Sequence, residues 1–305
     1  MPRRARYIRT IILELERIQS HLLWLGIAAH IVGFDTVLMQ AWRIREPVMW
    51  LCEKITGNRK LYGINVVGGV RRDIPKEMHP QLLEVLARIE KETRAVLDAV
   101  VTDTTLLARL ANVGILPNKD AIAYSVLGPT ARGSGVAIDI RVDHPYAAYD
   151  EVETIMMVET SEDIWARTVV RIKETLDSIR IVRDCIEMMP EGPIQATITE
   201  PIPPGLIGQS SVEAPRGETH HLVITGEDNR PYRWKARAPT FQNLQSVPTM
   251  VLGETIADVP IALGSIDPCF SCTERLETVD VRSGEVKVYS KADLFRMCKE
   301  KWGKK

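Results

Sequence analysis

Cysteine is scarce in this chain: the five present (Cys52, Cys185, Cys269, Cys272 and Cys298) are too few across 305 residues for a disulfide scaffold, and they point to a reducing, cytoplasmic setting. Net charge is scarce as well. The formal value of −1 leaves no basic surface for nucleic acid or another polyanion. No uninterrupted apolar run approaches the roughly 18–20 residues that a membrane span needs, so any membrane association is expected to run through partners. No secretory signal is expected either, because Pro2 and four arginines in the first nine residues lead into an amphipathic helix. Internal repeats and low-complexity segments are lacking. What remains, 45% hydrophobic and 26% charged residues, is ordinary for a soluble globular protein of one large domain or two modest ones.

Residues 4–32 carry Ile8, Ile11, Ile12, Leu15, Ile18, Leu22 and Leu25 on a stripe of helical period, with Gly33 to end it. Asp35 can cap a second helix over 35–55, closed by Gly57, and the two read as a helical hairpin with Cys52 near the end of its second arm. Val66-Val67-Gly68-Gly69-Val70 reads as extended with a glycine turn. Long helices are predicted over 80–112 and 162–188, and four long helices without a period-2 pattern between them predict a bundle core. After Pro190 the prolines at 193, 201, 203 and 204 exclude helix, while residues 194–199 alternate like a short strand. Residues 220–225 and 232–236 flank a hairpin turn at Gly226-Glu227-Asp228-Asn229, and 242–252 suits a final short helix. The expected fold class is mainly α with a small β portion (α+β). Residues 1–190 form a helical bundle region, 191–275 a small β-containing region ending in a metal-binding motif, and 276–305 a charged C-terminal extension.

That motif is Asp267-Pro268-Cys269-Phe270-Ser271-Cys272-Thr273-Glu274-Arg275. Its two thiols stand three residues apart behind a stiffening proline, so both sulfurs can turn onto one soft metal ion. Spacing alone leaves nickel, a partial zinc site and a buried thiol pair open. In Val212-Glu213-Ala214-Pro215-Arg216-Gly217-Glu218 the backbone is fixed around an arginine that can reach inward to a metal's ligands or lie in a solvated surface turn. Thr240, after Pro239, reads as the N-cap of the helix that follows. On the first helix Glu14, Arg17 and His21 share a face, which suits a self-satisfied polar network at a helix interface; a proton path is the other reading. His220 and His221 are neighbours on a strand, so at most one of them could join a zinc site. The glycines of Gly128-Pro129-Thr130-Ala131-Arg132-Gly133-Ser134-Gly135 lack G-x-G-x-x-G spacing and follow no strand, which argues against a nucleotide loop and for a structural loop near a partner interface.

Together these strings resemble the large subunits of nickel–iron hydrogenases, in the membrane-associated branch related to complex I, and the 49-kDa-type proteins of complex I itself. The resemblance covers about residues 3–275 and includes Arg6-Tyr7-Ile8-Arg9, Val67-Gly68-Gly69-Val70-Arg71-Arg72-Asp73-Ile74-Pro75, the stretch from Gly128 to Arg141 with Pro145-Tyr146, Glu213 to Gly217, and the cysteine motif. The complex I proteins share the first four of these landmarks and generally lack the cysteines, which tips the resemblance toward hydrogenase. It implies that Cys269 and Cys272 hold nickel, one sulfur bridging to an iron that carries CO and CN ligands. It places Arg216 over that centre, with Pro239 and Thr240 donating to a cyanide. The implied reaction is reversible oxidation of H2, with electrons passing to an iron–sulfur cluster in a small partner subunit. The chain would then sit peripherally on the inner face of a membrane, held by other subunits of a membrane complex.

Hydrogenases of this kind bind nickel with four cysteines, and their first C-x-x-C pair lies upstream of the helix that begins here near Arg3, as does a carboxylate for proton transfer. The expectation is therefore that another polypeptide supplies the missing pair, that the chain is truncated, or that it is a non-catalytic complex I-like scaffold framing a quinone or electron-transfer cavity. A zinc-stabilised interaction module is a third reading. In the hydrogenases a specific protease removes a C-terminal extension, which predicts a cut between Arg275 and Leu276.

Overall fold

A helix whose buried positions recur on every side must lie inside a bundle, and the first helix meets that condition. In the computed structural model, which describes residues 1–273, 276–279 and 282–302, α1 (Arg3–Ile31) is almost wholly buried along its length. The chain divides into two units, Met1–Asp267 and Pro268–Lys305.

In the first unit α1 packs against α2 (Asp35–Thr56) and α8 (Ile164–Glu187), and α3 (His79–Thr102) closes the bundle against α2 and α8. Gly57 takes the left-handed conformation that ends α2, with φ of 86°. One apolar cluster joins Ile8, Ile11, Leu15 and Ile18 to Leu51 and Cys52 of α2, Leu82 and Leu86 of α3, and Ile179 and Val182 of α8. A second gathers Trp24, Leu25 and Ala28 with Leu97, Leu106, Ile164 and Ile261. Among the described residues these four helices are the long ones, as the apolar stripes predict, and the fold is mainly α with small sheets.

Between α2 and α3 a minimal hairpin pairs β1 (Asn65–Val66) with β2 (Gly69–Val70). Arg9 holds it to α1 by donating from Nη2 to the carbonyls of Val66 (2.7 Å) and Gly69 (2.8 Å). Gly69 lies against the next segment so closely that a Cβ there would stand 2.1 Å from the carbonyl oxygen of Ile194. The expected strand over 194–199 is absent. Only Gln195 pairs, as an isolated bridge to Gly69 flanked by bonds from the Val70 N–H to the Ile194 carbonyl (2.9 Å) and from the Ala196 N–H to the Gly68 carbonyl (3.1 Å); the exposed, proline-bounded segment carries the pairing no further.

The helix expected over 80–112 is two helices. The Asp103 carboxylate accepts from the Leu106 N–H at 2.8 Å and starts α4 (Thr104–Leu110) afresh. Short helices follow: α5 (Asn118–Ala123), α6 (Gly128–Arg132) and α7 (Ile140–Asp143). Beyond α8 an antiparallel sheet of order β3–β4–β5 forms from β3 (Ile207–Ala214), β4 (Gly217–Thr225) and β5 (Pro231–Arg237). The β4–β5 hairpin is the one the turn residues predict; β3 is an additional strand, largely exposed and therefore without a hydrophobic signature. The helix expected over 242–252 starts earlier and is interrupted. It runs as α9 (Pro239–Asn243), a 3₁₀ turn and α10 (Val247–Val251), with Pro248 in the first turn of α10, where its missing N–H is tolerated. The helix α11 (Val259–Ser265) ends the first unit's helices.

The second unit contains the cysteine turn, a hairpin of β6 (Leu276–Val279) with β7 (Val286–Tyr289), and α12 (Lys291–Trp302). No helix among the described residues is long and apolar enough to cross a membrane.

Candidate functional site

The Pro-Arg-Gly string sits at the turn from β3 into β4, and its arginine is not solvated. Arg216 donates from Nε to the backbone carbonyl of Asp267 at 2.7 Å and from Nη2 to the Asp267 carboxylate at 2.8 Å, with 23% of its side chain exposed. Burial pushes the Asp267 carboxyl up, while the guanidiniums of Arg216 and Arg171 pull it back. Its second oxygen, Oδ2, is buried without a partner.

Two glycines make this geometry possible. Gly128 (φ 64°) and Gly217 (φ 126°) pass backbone to backbone. A Cβ on Gly128 would lie 2.4 Å from the Arg216 carbonyl oxygen, and one on Gly217 would lie 2.7 Å from the Gly128 nitrogen. The Asn243 side chain clasps the same crossing, accepting from the Leu127 N–H at 2.8 Å and donating to its carbonyl at 3.2 Å. Thus the turn that presents Arg216, the stretch from Gly128 and the helix opened by Pro239 and Thr240 meet at one point. Pro239 and Thr240 are both buried, and Thr240 Oγ1 has no partner and makes no side-chain cap bond, so the capping role expected of it is not met.

Behind this crossing lies a buried charge network drawn from several segments. Glu14 accepts from Arg17 (3.1 Å), Arg141 (3.3 Å), Ser178 (2.5 Å) and Tyr149. Arg141 grips Asp139 through Nε (3.0 Å) and Nη2 (2.7 Å). Arg132 joins Glu174 (2.8 Å) and Glu213 (2.9 Å), and His21 Nε2 meets Glu174 at 2.9 Å. Arg17 also donates to the backbone carbonyl of Glu213 at 2.7 Å, which pins β3 to α1. All of these acidic and arginine side chains are buried. Burial alone would push the Glu14 carboxyl up, but Arg17 and Arg141 outweigh it and hold it down to about 2. His21 goes the other way: burial depresses it to about 4 despite Glu174, so the ring is neutral near pH 7.

Four carboxylates (Glu14, Asp139, Glu174, Glu213) thus face three guanidiniums. The Arg132 and Arg141 guanidiniums pull the Asp139 carboxyl down, while burial pushes the Glu213 carboxyl up against the pull of Arg132. The face of Glu14, Arg17 and His21 is therefore a helix-interface polar network, as expected of it, with only His21 Nδ1 left without a partner among these three side chains. Sequence reasoning missed its partners. Arg132 and Asp139 lie inside a stretch whose pattern suggests only a structural loop, and Glu213 stands in the sequence only as a neighbour of Arg216. Glu174 carries no signal beyond a charge on a helix with an otherwise apolar face.

In the second unit Cys272 N–H donates to the Cys269 carbonyl at 3.0 Å and Thr273 N–H to the Phe270 carbonyl at 3.1 Å. This 3₁₀ turn over Phe270–Cys272, with Cys269 extended just before it, keeps the two cysteines within one turn of chain. Both thiols are partly exposed. Cys52 and Cys185 are buried in the apolar core, where burial pushes the Cys52 thiol up to about 11. His220 Nδ1 pairs with Ser211 at 2.9 Å and His221 Nδ1 accepts from Trp234 at 3.0 Å, so each histidine is engaged within the sheet. Among the described residues no group of three or more His, Cys, Asp or Glu side chains is placed to hold a metal. A nickel–iron group needing four thiolates does not fit these residues by themselves; they offer two. Glu274 and Arg275 of the motif, and with them the expected cut after Arg275, lie outside the described residues.

Comparison with known proteins accounts for these shared landmarks. The family model for the respiratory-chain NADH dehydrogenase 49 Kd subunit matches residues 32–207 and 202–275. The chain is 37% identical over 298 residues to Hydrogenase-4 component G of Escherichia coli (strain K12), covering 97% of this chain and 50% of that protein. It is 38% identical over 317 residues to the membrane-bound hydrogenase subunit alpha of Pyrococcus furiosus, covering 99% and 74%. To an NADH-quinone oxidoreductase subunit of Roseiflexus sp. (strain RS-1) it is 36% identical over 277 residues, covering 88% and 74%. The chain spans about half the length of the Escherichia coli relative. From the matched segments and these identities, the chain belongs to the 49 Kd subunit family of respiratory-chain NADH dehydrogenase, an oxidoreductase family whose members include subunits of membrane-bound hydrogenases and of NADH-quinone oxidoreductases.

Proposed function

We propose that the chain is the nickel-bearing portion of the large subunit of a membrane-associated nickel–iron hydrogenase, serving H2 ⇌ 2H⁺ + 2e⁻. The observation that carries this reading is the tight turn, closed by the Cys272 N–H to the Cys269 carbonyl, that joins the two cysteines in a chain similar to proteins named as hydrogenases. Cys269 and Cys272 act as nickel ligands. Arg216, with Pro239 and Thr240, takes the family's role of orienting the diatomic ligands of iron. The unpartnered, buried Thr240 hydroxyl and Asp267 Oδ2 support a polar ligand there. The remaining two thiolates come from outside these residues. Electrons leave through an iron–sulfur cluster of a small partner subunit, and the assembly sits on the cytoplasmic face of the membrane through its other subunits. The extension 276–305 is removed when nickel is in place, so the mature chain ends at Arg275.

A second reading has its own support in the similarity to NADH-quinone oxidoreductase subunits: the chain serves as a complex I-like scaffold without nickel. Replacing both cysteines with serine in the native host separates the two. Assembly of the complex with loss of hydrogen-dependent activity supports the hydrogenase. Unchanged electron transfer through the assembled complex supports the scaffold.

A further inference from the structure

Four buried polar atoms that the network leaves over are brought together by one small cavity. His21 Nδ1, Thr93 Oγ1, and Nε and Nη2 of Arg171 are all buried without a hydrogen-bond partner. His21, Thr93 and Arg171 line the same cavity of about 10 Å³, between α1, α3 and α8, walled by Trp24, Leu97 and Thr175. A buried orphan of this kind is costly and rare, and four around one space call for a shared occupant.

The threonines sharpen the point. Thr10, Thr56, Thr168 and Thr175 each donate to the carbonyl four residues back, the usual refuge of a helical hydroxyl. Thr93, buried in α3, makes no such bond, and it is one of the residues that line the cavity. The Arg171 guanidinium is held in place with its Cζ 4.2 Å from the centre of the Trp24 ring and Nη1 donating to the Arg167 carbonyl at 3.0 Å, while its other nitrogens are left over.

Chemistry then selects the occupant. His21 Nε2 lies 2.9 Å from a Glu174 oxygen, so the proton of the neutral ring must be on Nε2; the opposite tautomer would set a lone pair against a carboxylate. Nδ1 therefore presents a lone pair and needs a donor. Arg171 presents only donors and needs an acceptor, and the Thr93 hydroxyl serves either way. An anion would be repelled by the Nδ1 lone pair, and a cation by Arg171. The volume admits one small molecule and nothing larger.

We infer that this cavity is a binding site for a single structural water, which donates to His21 Nδ1 and is held by Thr93 Oγ1 and the Arg171 guanidinium. The water fixes the Nε2–H tautomer of His21. Through it, one Glu174 oxygen is kept for His21 while the other serves Arg132. His21 is thereby a positioning residue of the charge network, with Thr93 and Arg171 acting behind it.

The test is a map of the native complex at a resolution that shows ordered water, together with the melting temperature of Thr93→Val in the full chain. A density peak within hydrogen-bond distance of Thr93 Oγ1 and His21 Nδ1 is expected in the native protein. Thr93→Val, which keeps the shape and removes the hydroxyl, should lose that peak and melt lower by about 2–4 °C, since His21 and Arg171 lose a partner. A native cavity without density overturns the inference. So does a Thr93→Val variant that melts at or above the native temperature, because removing an orphan hydroxyl from a dry cavity is neutral or stabilising.

Discussion

Arg216 grips Asp267 twice, once at the carboxylate and once at the backbone carbonyl of the same residue, so one guanidinium sets both the charge and the course of the chain just before the cysteine turn. A lysine has the charge but cannot make both bonds from one rigid plane. Arg216→Ala should destabilise the chain by about 2 kcal/mol, because the buried Asp267 loses its counter-charge, and Arg216→Lys by roughly half of that. In a double-mutant cycle with Asp267→Ala, urea unfolding should give a coupling of about 1–2 kcal/mol. Additive effects of the two substitutions would contradict the pairing.

Acid should weaken the fold in two stages. The unfolded His21 takes up a proton near 6.5, whereas the folded ring resists it down to about 4, so its contribution is complete above pH 6.5 and is lost as pH falls toward 4. Glu14 follows: depressed from 4.5 to about 2, its contribution is present above 4.5 and disappears as pH falls through 2. Urea midpoints measured from pH 7 to pH 5 should fall in the native chain, with the unfolded state binding up to one more proton. His21→Gln should flatten that slope by up to about 1.4 kcal/mol per pH unit. An unchanged slope in the variant would count against a buried neutral His21.

The glycine crossing predicts an ordering of three alanine substitutions. Gly128→Ala and Gly217→Ala each add a Cβ at a positive φ and drive it into backbone of the opposite segment, so each should cost more than about 3 kcal/mol or prevent accumulation of folded chain. Gly253→Ala also meets a positive φ, of 91°, but its Cβ would find nothing within 4 Å. It should cost only about 1–2 kcal/mol. Equal effects at the three positions would mean that Gly128 and Gly217 do not pass in contact.

Local signals carry the bundle, and long-range ones do not carry its interior. The stripe from Ile8 to Leu25 and the stop at Gly57 are written within a few turns of chain, and both are found where the pattern puts them. The break at Asp103 is invisible in sequence because Leu106 and Leu110 continue the apolar pattern across it, and only the side-chain cap shows where the new helix begins. The alternation in 194–199 misleads because those residues are mostly exposed, with no sheet face to bury. In the candidate site, Arg216 and the cysteine pair are legible as short strings. The union of Glu14 with Arg141, or of Arg132 with Glu174 and Glu213, is not, since those partners are separated by 127, 42 and 81 positions. Charged residues on a helix look alike in sequence whether they face water or one another.

The most direct test is the number of nickel, iron and zinc atoms per chain in the complex purified anaerobically from its own host. About one nickel per chain with iron in excess is the expected result. Complete absence of nickel would contradict the hydrogenase and leave the scaffold, and stoichiometric zinc alone would make Cys269 and Cys272 a structural pair.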